Sequence, residues 1–562
     1  MSRISKYTTN KVLHLLSITA ASLLFPALSL AQTKTLNYYV DKKIQTLTLD
    51  QKIGQLFIVG FTGQELSPEL TQFIRRYKPG SFILFKRNIS SIPQITKLNN
   101  DLYRLSFSAT NLPPLLAVDQ EGGSVSRLPI YPPPPNALAM GQTQSPLLVE
   151  EMGYQTALFL REVGFNMNLA PVLDVVDLFS AGFIGVRSFG SEAHLVSEMG
   201  TAYSKGLLRA KVLPTAKHFP GTGSVAADPH KTIVTSSASE DVLYSRDIFP
   251  FEKYTRINQP TAVMLSHLVY PAIDSSGEPA SFSSHIIDGI LRKKMNYQGL
   301  VVTDDLQMQG SRLLLKPEEA ALKSLKSGSD VIMLTWSFAD QEKTFSRVKK
   351  AVLSGEMSEE KLNEKLRRIL VAKAMTHSYR KDSSDKTVVH DHKLSSTQYF
   401  NLEEKVLQSN LRGSLLPTAL PGRSQKNTRM VASESHGKLC LLSPSKIFLD
   451  SFAQGYKQEF SRNLLSPTED VRVINQWLSA NACDTIVFTV TGKQSAKTVA
   501  KLSPEAKRKT LVVNTGAPRL VRSEKGYFKV IQLYFSHQEA GKKIAQLLEE
   551  ILKNPSASYA IK

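Results

Sequence analysis

Gly299-Leu300-Val301-Val302-Thr303-Asp304-Asp305-Leu306 runs apolar along its length and ends in two carboxylates. A continuous Val/Leu run is the mark of a strand buried on both faces, as in a parallel sheet covered by helices. Seven more runs of this kind lie on either side of it: Ile53–Phe61, Ser81–Phe85, Leu115–Asp119, Phe165–Asp174, Val212–His218, Ala262–His267 and Val331–Thr335. Stretches with helical periodicity, such as Leu147–Val163 and Leu195–Lys211, separate them. Eight strand–helix repeats within about 290 residues predict an α/β fold, a (β/α)8 barrel rather than an open sheet. The titratable residues agree with this. Asp119, Asp174, Lys217, His218, His267 and Asp304 all fall at C-terminal strand ends, the rim on which such barrels build their chemistry.

Helical sequence continues to about Met375, and a polar stretch from His377 to Thr397 reads as an exposed connection. A helix is expected near Leu402–Arg412. Strand candidates Lys438–Leu442, Thr485–Val490, Thr510–Val513 and Val530–Phe535 then alternate with helices, which predicts a second, smaller α/β domain. The division expected is a leader over residues 1–31, a barrel over 40–376, a linker with its helix over 377–436, and a C-terminal domain over 437–562. The leader reading rests on Arg3, Lys6 and Lys11, an apolar stretch from about Leu13 to Leu30, and the small-x-small ending Ser29-Leu30-Ala31. It implies export to the periplasm or the exterior, with no stable membrane span after processing; an uncleaved anchor is the alternative.

The formal net charge is +20, and +17 without the first 31 residues. The cations are scattered or sit in the linker with no aromatic interleaving, so nucleic acid is not an expected partner, and a carboxylate-bearing polymer suits the charge better. The only cysteines, Cys440 and Cys483, make no disulfide framework, although an exported chain can pair them. No residues have metal-ligand spacing, and no metal or cofactor is expected.

Three stretches carry candidate chemistry. Lys217-His218-Phe219-Pro220-Gly221-Thr222-Gly223 is followed by Asp228-Pro229-His230. The glycines suit a loop whose backbone approaches a ligand, and Asp228 is spaced to orient the His230 imidazole for proton transfer. In the second stretch, Asp304 is expected to face inward as a carboxylate able to attack an anomeric carbon, with Asp305 capping the next helix. In the third, Asp119 follows Ala117-Val118 and precedes Gln120-Glu121-Gly122-Gly123, with Arg127 beyond it. Asp119 is suited to accept hydrogen bonds from sugar hydroxyls, and Arg127 and Arg187 to donate them. For each stretch a plain structural role, as turn, cap or salt bridge, is the alternative. Trp336, beyond the eighth strand, reads either as a sugar-stacking ring or as rim core.

The motifs VDQEGG, NLAPVLDV, VRSFG, KHFPGTG with DPH, MLSHLVYPAID and VVTDDLQM occur in this order over about residues 45–375. In this the chain resembles glycoside hydrolase family 3, and most nearly the bacterial β-N-acetylglucosaminidases of peptidoglycan turnover. The resemblance implies Asp304 as nucleophile, His230 as acid/base with Asp228 as its partner, and Asp119, Arg127, Arg187, Lys217 and His218 as sugar-binding residues. It departs at Thr222, where the family usually has histidine, and at Pro229, where it usually has serine. Pro229 restricts the backbone between the two members of the dyad, which bears on rate and loop motion more than on reaction type.

The mechanism implied is a two-step retaining displacement that releases terminal GlcNAc from peptidoglycan fragments or other GlcNAc-containing oligosaccharides. A histidine in place of a second carboxylate puts no further negative charge beside the nucleophile. The alternatives are a family-related β-glycoside phosphorylase, a glucosidase or xylosidase of the same family, and a non-catalytic wall-saccharide-binding protein. Oligomeric state is not legible in the sequence.

Overall fold

The computed structural model describes residues 36–130, 134–177, 183–223, 225, 232–257, 259–377, 401–402, 404–410, 439–456, 460–464, 471–491, 493–515, 529–532 and 540–553. The leader reading, the Asp228–His230 pair and most of the expected linker fall outside them.

Eight parallel strands close into a barrel: β1 (Phe57–Val59), β2 (Ser81–Leu84), β3 (Leu115–Val118), β4 (Met167–Asn168), β5 (Leu213–Phe219), β6 (Ala262–Leu265), β7 (Leu300–Asp305) and β8 (Val331–Leu334). Each pairs with its neighbours in chain order, and β8 returns to β1 through Phe57–Ile332, Ile58–Met333 and Val59–Leu334. β1, β2, β3, β6 and β8 are buried at every position, as strands covered on both faces must be. All eight expected strands are present. The first is shorter than its apolar run, because Leu49–Gly54 forms a helix capped by Thr48 before β1 begins. The fourth run, Phe165–Asp174, contracts to two paired residues. Beyond them the cis Ala170–Pro171 peptide intervenes, and the chain keeps to β5 through the Val172–Lys217 bridge and the Leu173 N–H to Lys217 carbonyl bond of 2.7 Å.

The helices between the strands start where the sequence offers a cap. Ser67, Ser91 and Ser145 each accept a backbone N–H of the first turn with their hydroxyls, at the heads of Pro68–Tyr77, Ile92–Thr110 and Pro146–Glu162. Ser67 and Ser145 are followed directly by proline, whose fixed φ and missing N–H cost nothing at a helix's first position. The helix Glu359–His377 lies against the N-terminal end of the barrel. Its Lys373 Nζ reaches the Gly80 carbonyl ahead of β2 at 2.7 Å, and Lys365 Nζ reaches the Ser329 carbonyl ahead of β8 at 2.8 Å.

The C-terminal domain is a five-stranded parallel sheet: β9 (Leu439–Ser443), β10 (Phe460–Leu464), β11 (Thr485–Val490), β12 (Thr510–Asn514) and β13 (Lys529–Gln532), in the order β10-β9-β11-β12-β13. β10 has no counterpart among the expected strands. It lies at one edge of the sheet and is nowhere fully buried, so its sequence lacks the apolar run that betrays a covered strand. A disulfide joins Cys440 of β9 to Cys483, which precedes β11, with the two Cα atoms 5.7 Å apart. This sheet packs on the barrel through a cluster that includes Ala139, Val406, Leu407, Leu439 and Leu449, and Asn410 Nδ2 donates to the Ala139 carbonyl at 2.9 Å.

Candidate active site

The C-terminal strand ends gather two connected groups of polar side chains. The first is an ion cluster. Arg187 grips Glu121 with two parallel bonds, Nε to Oε2 at 2.7 Å and a terminal nitrogen to Oε1 at 2.8 Å. Lys217 Nζ lies 2.7 Å from Glu121 Oε1 and 2.9 Å from Asp119 Oδ1, and Arg127 approaches Asp119 at 3.7 Å. Burial alone would raise the Glu121 carboxyl, but the charges of Arg187 and Lys217 outweigh it and hold the group well below the usual carboxylate range. Burial likewise disfavours the Lys217 ammonium, and Asp119 and Glu121 overcome it, so that its pKa is raised. Glu121 and Lys217 are therefore both charged at neutral pH, and a bidentate, charge-assisted pairing such as that of Arg187 with Glu121 fixes the geometry of the groups it joins.

The second group surrounds a small cavity lined by Phe183, His218, Thr222, Ser266, His267, Leu268, Asp304 and Met308. His218 is the residue after Lys217, and its Nδ1 lies 2.8 Å from Asp174 Oδ2. Asp174 is fully buried and also accepts the backbone N–H of His218 at 3.3 Å and of Thr222 at 2.8 Å. With Nδ1 held by a carboxylate, Nε2 is the ring nitrogen left to a ligand. His267, at the end of β6, is held through Nδ1 to Ser281 Oγ at 2.8 Å. The Thr222 hydroxyl is buried and has no hydrogen-bond partner among the described residues. Gly221 and Gly223 hold φ of +120° and +56°, and a Cβ on Gly221 would stand 2.8 Å from the Asp247 side chain. The turn that delivers Thr222 to the cavity therefore needs glycine on both sides.

The two adjacent acids at the end of β7 diverge as alternation along a strand requires. Asp304 lines the cavity, and its Oδ1 accepts the N–H of Asp305 at 2.8 Å. Asp305 is buried on the other side and does not cap a helix as expected. Its carboxylate accepts from the Thr335 hydroxyl of the β8 end and from the Gln307 N–H at 3.0 Å, which closes a local turn. Burial, reinforced by the charge of Asp304, pushes the Asp305 carboxyl up to about 6 despite these bonds.

Of the residues singled out in the sequence, Asp119, Arg127, Arg187 and Lys217 share the ion cluster, and His218 shares the cavity with Asp304. Asp228 and His230 lie outside the described residues. Sequence reasoning gave no role to Glu121 and set Asp174 down only as a rim acid. Glu121 sits inside the motif beside Asp119, but its partner Arg187 lies 66 residues away, and no local pattern announces that pairing.

Residues 48–372 match the glycosyl hydrolase family 3 N-terminal domain. Beta-hexosaminidase A of Pseudoalteromonas piscicida is 30% identical over 326 residues, which make up 54% of this chain and 54% of that protein. The chain thus spans about half the length of this relative. Beta-hexosaminidase of Haemophilus influenzae is 33% identical over 282 residues, 49% of this chain and 78% of the relative. Among solved structures, a glycoside hydrolase family 3 β-N-acetylglucosaminidase from Paenibacillus sp. str. FPU-7 matches with a TM-score of 0.77 at 26% identity, covering 90% of this chain and 97% of that one.

Proposed function

The chain belongs to glycosyl hydrolase family 3, and on that premise we propose that it is an exported, retaining exo-β-N-acetylglucosaminidase acting on peptidoglycan-derived saccharides. The observation that carries the proposal is Asp304. It is a strand-end carboxylate in the wall of a cavity shared with two histidines and joined, through Lys217 and His218, to a preformed ion cluster. Relatives named as hexosaminidases support GlcNAc as the sugar.

In the proposed first step Asp304 Oδ2 attacks the anomeric carbon as the glycosidic bond breaks and the leaving oxygen takes a proton from His230, which Asp228 orients. In the second step His230 takes a proton from water, the water oxygen bonds to the anomeric carbon, and the sugar leaves Asp304 with its β configuration retained. Asp119, Arg127, Lys217 and His218 bind the sugar hydroxyls, while Arg187 steadies the cluster from behind through Glu121. Because the cluster's charges are paired before substrate binds, orienting the sugar requires little rearrangement at the moment of reaction.

The His218–Asp174 pair favours a second reading, in which His218 Nε2 is the proton donor. Release of 4-nitrophenol from its β-N-acetylglucosaminide, compared with the β-glucoside and measured with and without phosphate, tests the function. Phosphate-independent release from the acetamido sugar is expected. Phosphate dependence would instead indicate a phosphorylase, and no release from either substrate a binding protein. In His230→Ala, turnover of this activated substrate should be rescued by azide; rescue in His218→Ala instead would move the proton transfer to His218.

A further inference from the structure

Trp336 stands one residue beyond β8 and is 59% exposed, so it is not rim core. It does not wave freely. The Arg87 guanidinium lies over its ring at 4.1 Å and over the Phe85 ring at 4.4 Å, so that the cation is sandwiched between two aromatics. Arg87 is in turn pinned by bonds to the carbonyls of Phe61 at 3.2 Å and Thr335 at 2.8 Å. One face of the indole is therefore braced from within the protein, and the exposure falls on the rest.

The backbone of Trp336 is tied to the nucleophile's own loop. Its N–H donates to Gln307 Oε1 at 2.7 Å, and Gln307 is three residues past Asp304. Gln307 also donates through Nε2 to Asp340 at 3.0 Å, and Arg312 of the same loop pairs with Asp340. The loops after β7 and β8, adjacent strands of the barrel, are thereby lashed together. Trp336 does not line the cavity that holds Asp304, but its bond to Gln307 and its place just past β8 put it on the same rim of the barrel. Leu313 and Leu314, on the loop after β7, are exposed as well and extend the apolar character of this side of the rim.

An aromatic face held rigid at the mouth of a saccharide site meets the apolar C–H face of a pyranose at small entropic cost. We propose that Trp336, braced by Arg87, is a stacking platform for the leaving-group sugar, the residue next in line after the GlcNAc that enters the cavity. This inference rests on the glycosidase reading and adds a binding subsite to it. It explains why a residue so apolar is left exposed and yet fixed by a guanidinium and a glutamine amide.

The chain has two tryptophans, Trp336 and Trp477, so Trp477→Phe leaves Trp336 as the only indole emitter. In full-length protein carrying Trp477→Phe and Asp304→Asn, titration with the β-1,4-linked trisaccharide of GlcNAc should give a saturable change in Trp336 emission. Free GlcNAc, confined to the cavity, should give none. Trp336→Ala should raise KM for the trisaccharide about tenfold with a smaller change in kcat, in keeping with the loss of a single stacking contact, and Trp336→Phe should restore most of it. Trisaccharide binding seen by calorimetry with unaltered emission, or an unchanged KM in Trp336→Ala, would overturn the platform. Failure of the parent enzyme to release nitrophenol would count against the glycosidase reading separately, since the emission titration needs no turnover.

Discussion

Lys217 and Lys373 are both buried in one barrel, at opposite ends, and their surroundings treat the ammonium charge in opposite ways. At the C-terminal rim Lys217 lies between Asp119 and Glu121, which keep it charged against the effect of burial. At the N-terminal end Lys373 meets, among the described residues, only neutral oxygens, Gln55 Oε1 at 2.6 Å and the Gly80 carbonyl, and burial pushes it down to about 7. Lys365, near by, is pushed down to about 8 by burial, with Asp330 opposing. Asp330 itself is spent on Arg292 at 2.6 Å and Arg368 at 2.7 Å. One end thus holds a fixed charge beside a cavity, ready for a ligand. The other neutralises or pairs its charges to join a helix to the strand starts. Burial is common to both ends; what the rim adds is a cavity beside its ion cluster, and the proposed site lies there.

The sharpest way to break this contrast is to remove the rim charge. Lys217→Met leaves Asp119 and Glu121 without their shared cation, and kcat/KM on the nitrophenyl substrate should fall about a thousandfold, with the fold intact by circular dichroism. A loss under tenfold would remove Lys217 from the site. At the other end, Asp330→Asn should lower stability by about 3 kcal/mol in urea unfolding, because Arg292 and Arg368 lose their buried partner. Its kcat, measured well below the melting temperature, should be unchanged, and a large kcat effect would mean that the two ends are not separable. Glu121→Gln, which keeps the shape but removes the charge holding Arg187, should cost about thirtyfold in kcat/KM, mostly in KM. An equal fall in kcat alone would instead point to a part in the chemical step.

The pH dependence of stability sharpens the account of Lys373. Its pKa is about 7 in the native state and about 10.4 unfolded. Between these values the unfolded chain holds a proton that the native protein lacks, so this site's contribution to stability rises with pH through that window. In Lys373→Met the dependence is gone. The variant's stability relative to the parent should therefore be highest near pH 6 and decline by at most about 1.4 kcal/mol per pH unit up to pH 10. A difference flat across that range would mean that Lys373 stays charged when buried.

The sequence was a good guide wherever one residue's surroundings follow from its neighbours in the chain. The eight barrel strands were legible because each is covered on both faces, and Asp304 was legible because it ends one of them. The edge strand Phe460–Leu464 was not, since half-exposed positions such as Arg462 and Asn463 carry no apolar signature. Glu121 with Arg187, and Asp174 with His218, were not legible as pairs, because closing the barrel brings together residues 66 and 44 positions apart. The different environments of Asp304 and Asp305 followed from alternation, but Asp305's partner Thr335 comes from the next strand and could not be named from β7 alone.

The proposed nucleophile is tested most directly by trapping it. A 5-fluoro derivative of GlcNAc with a good leaving group should slow the second step more than the first and let the glycosyl-enzyme accumulate. Intact-protein mass spectrometry should then show one added sugar, and peptide mapping should find it on Asp304. A sugar on another residue, or turnover with inverted configuration and no adduct, would contradict the account.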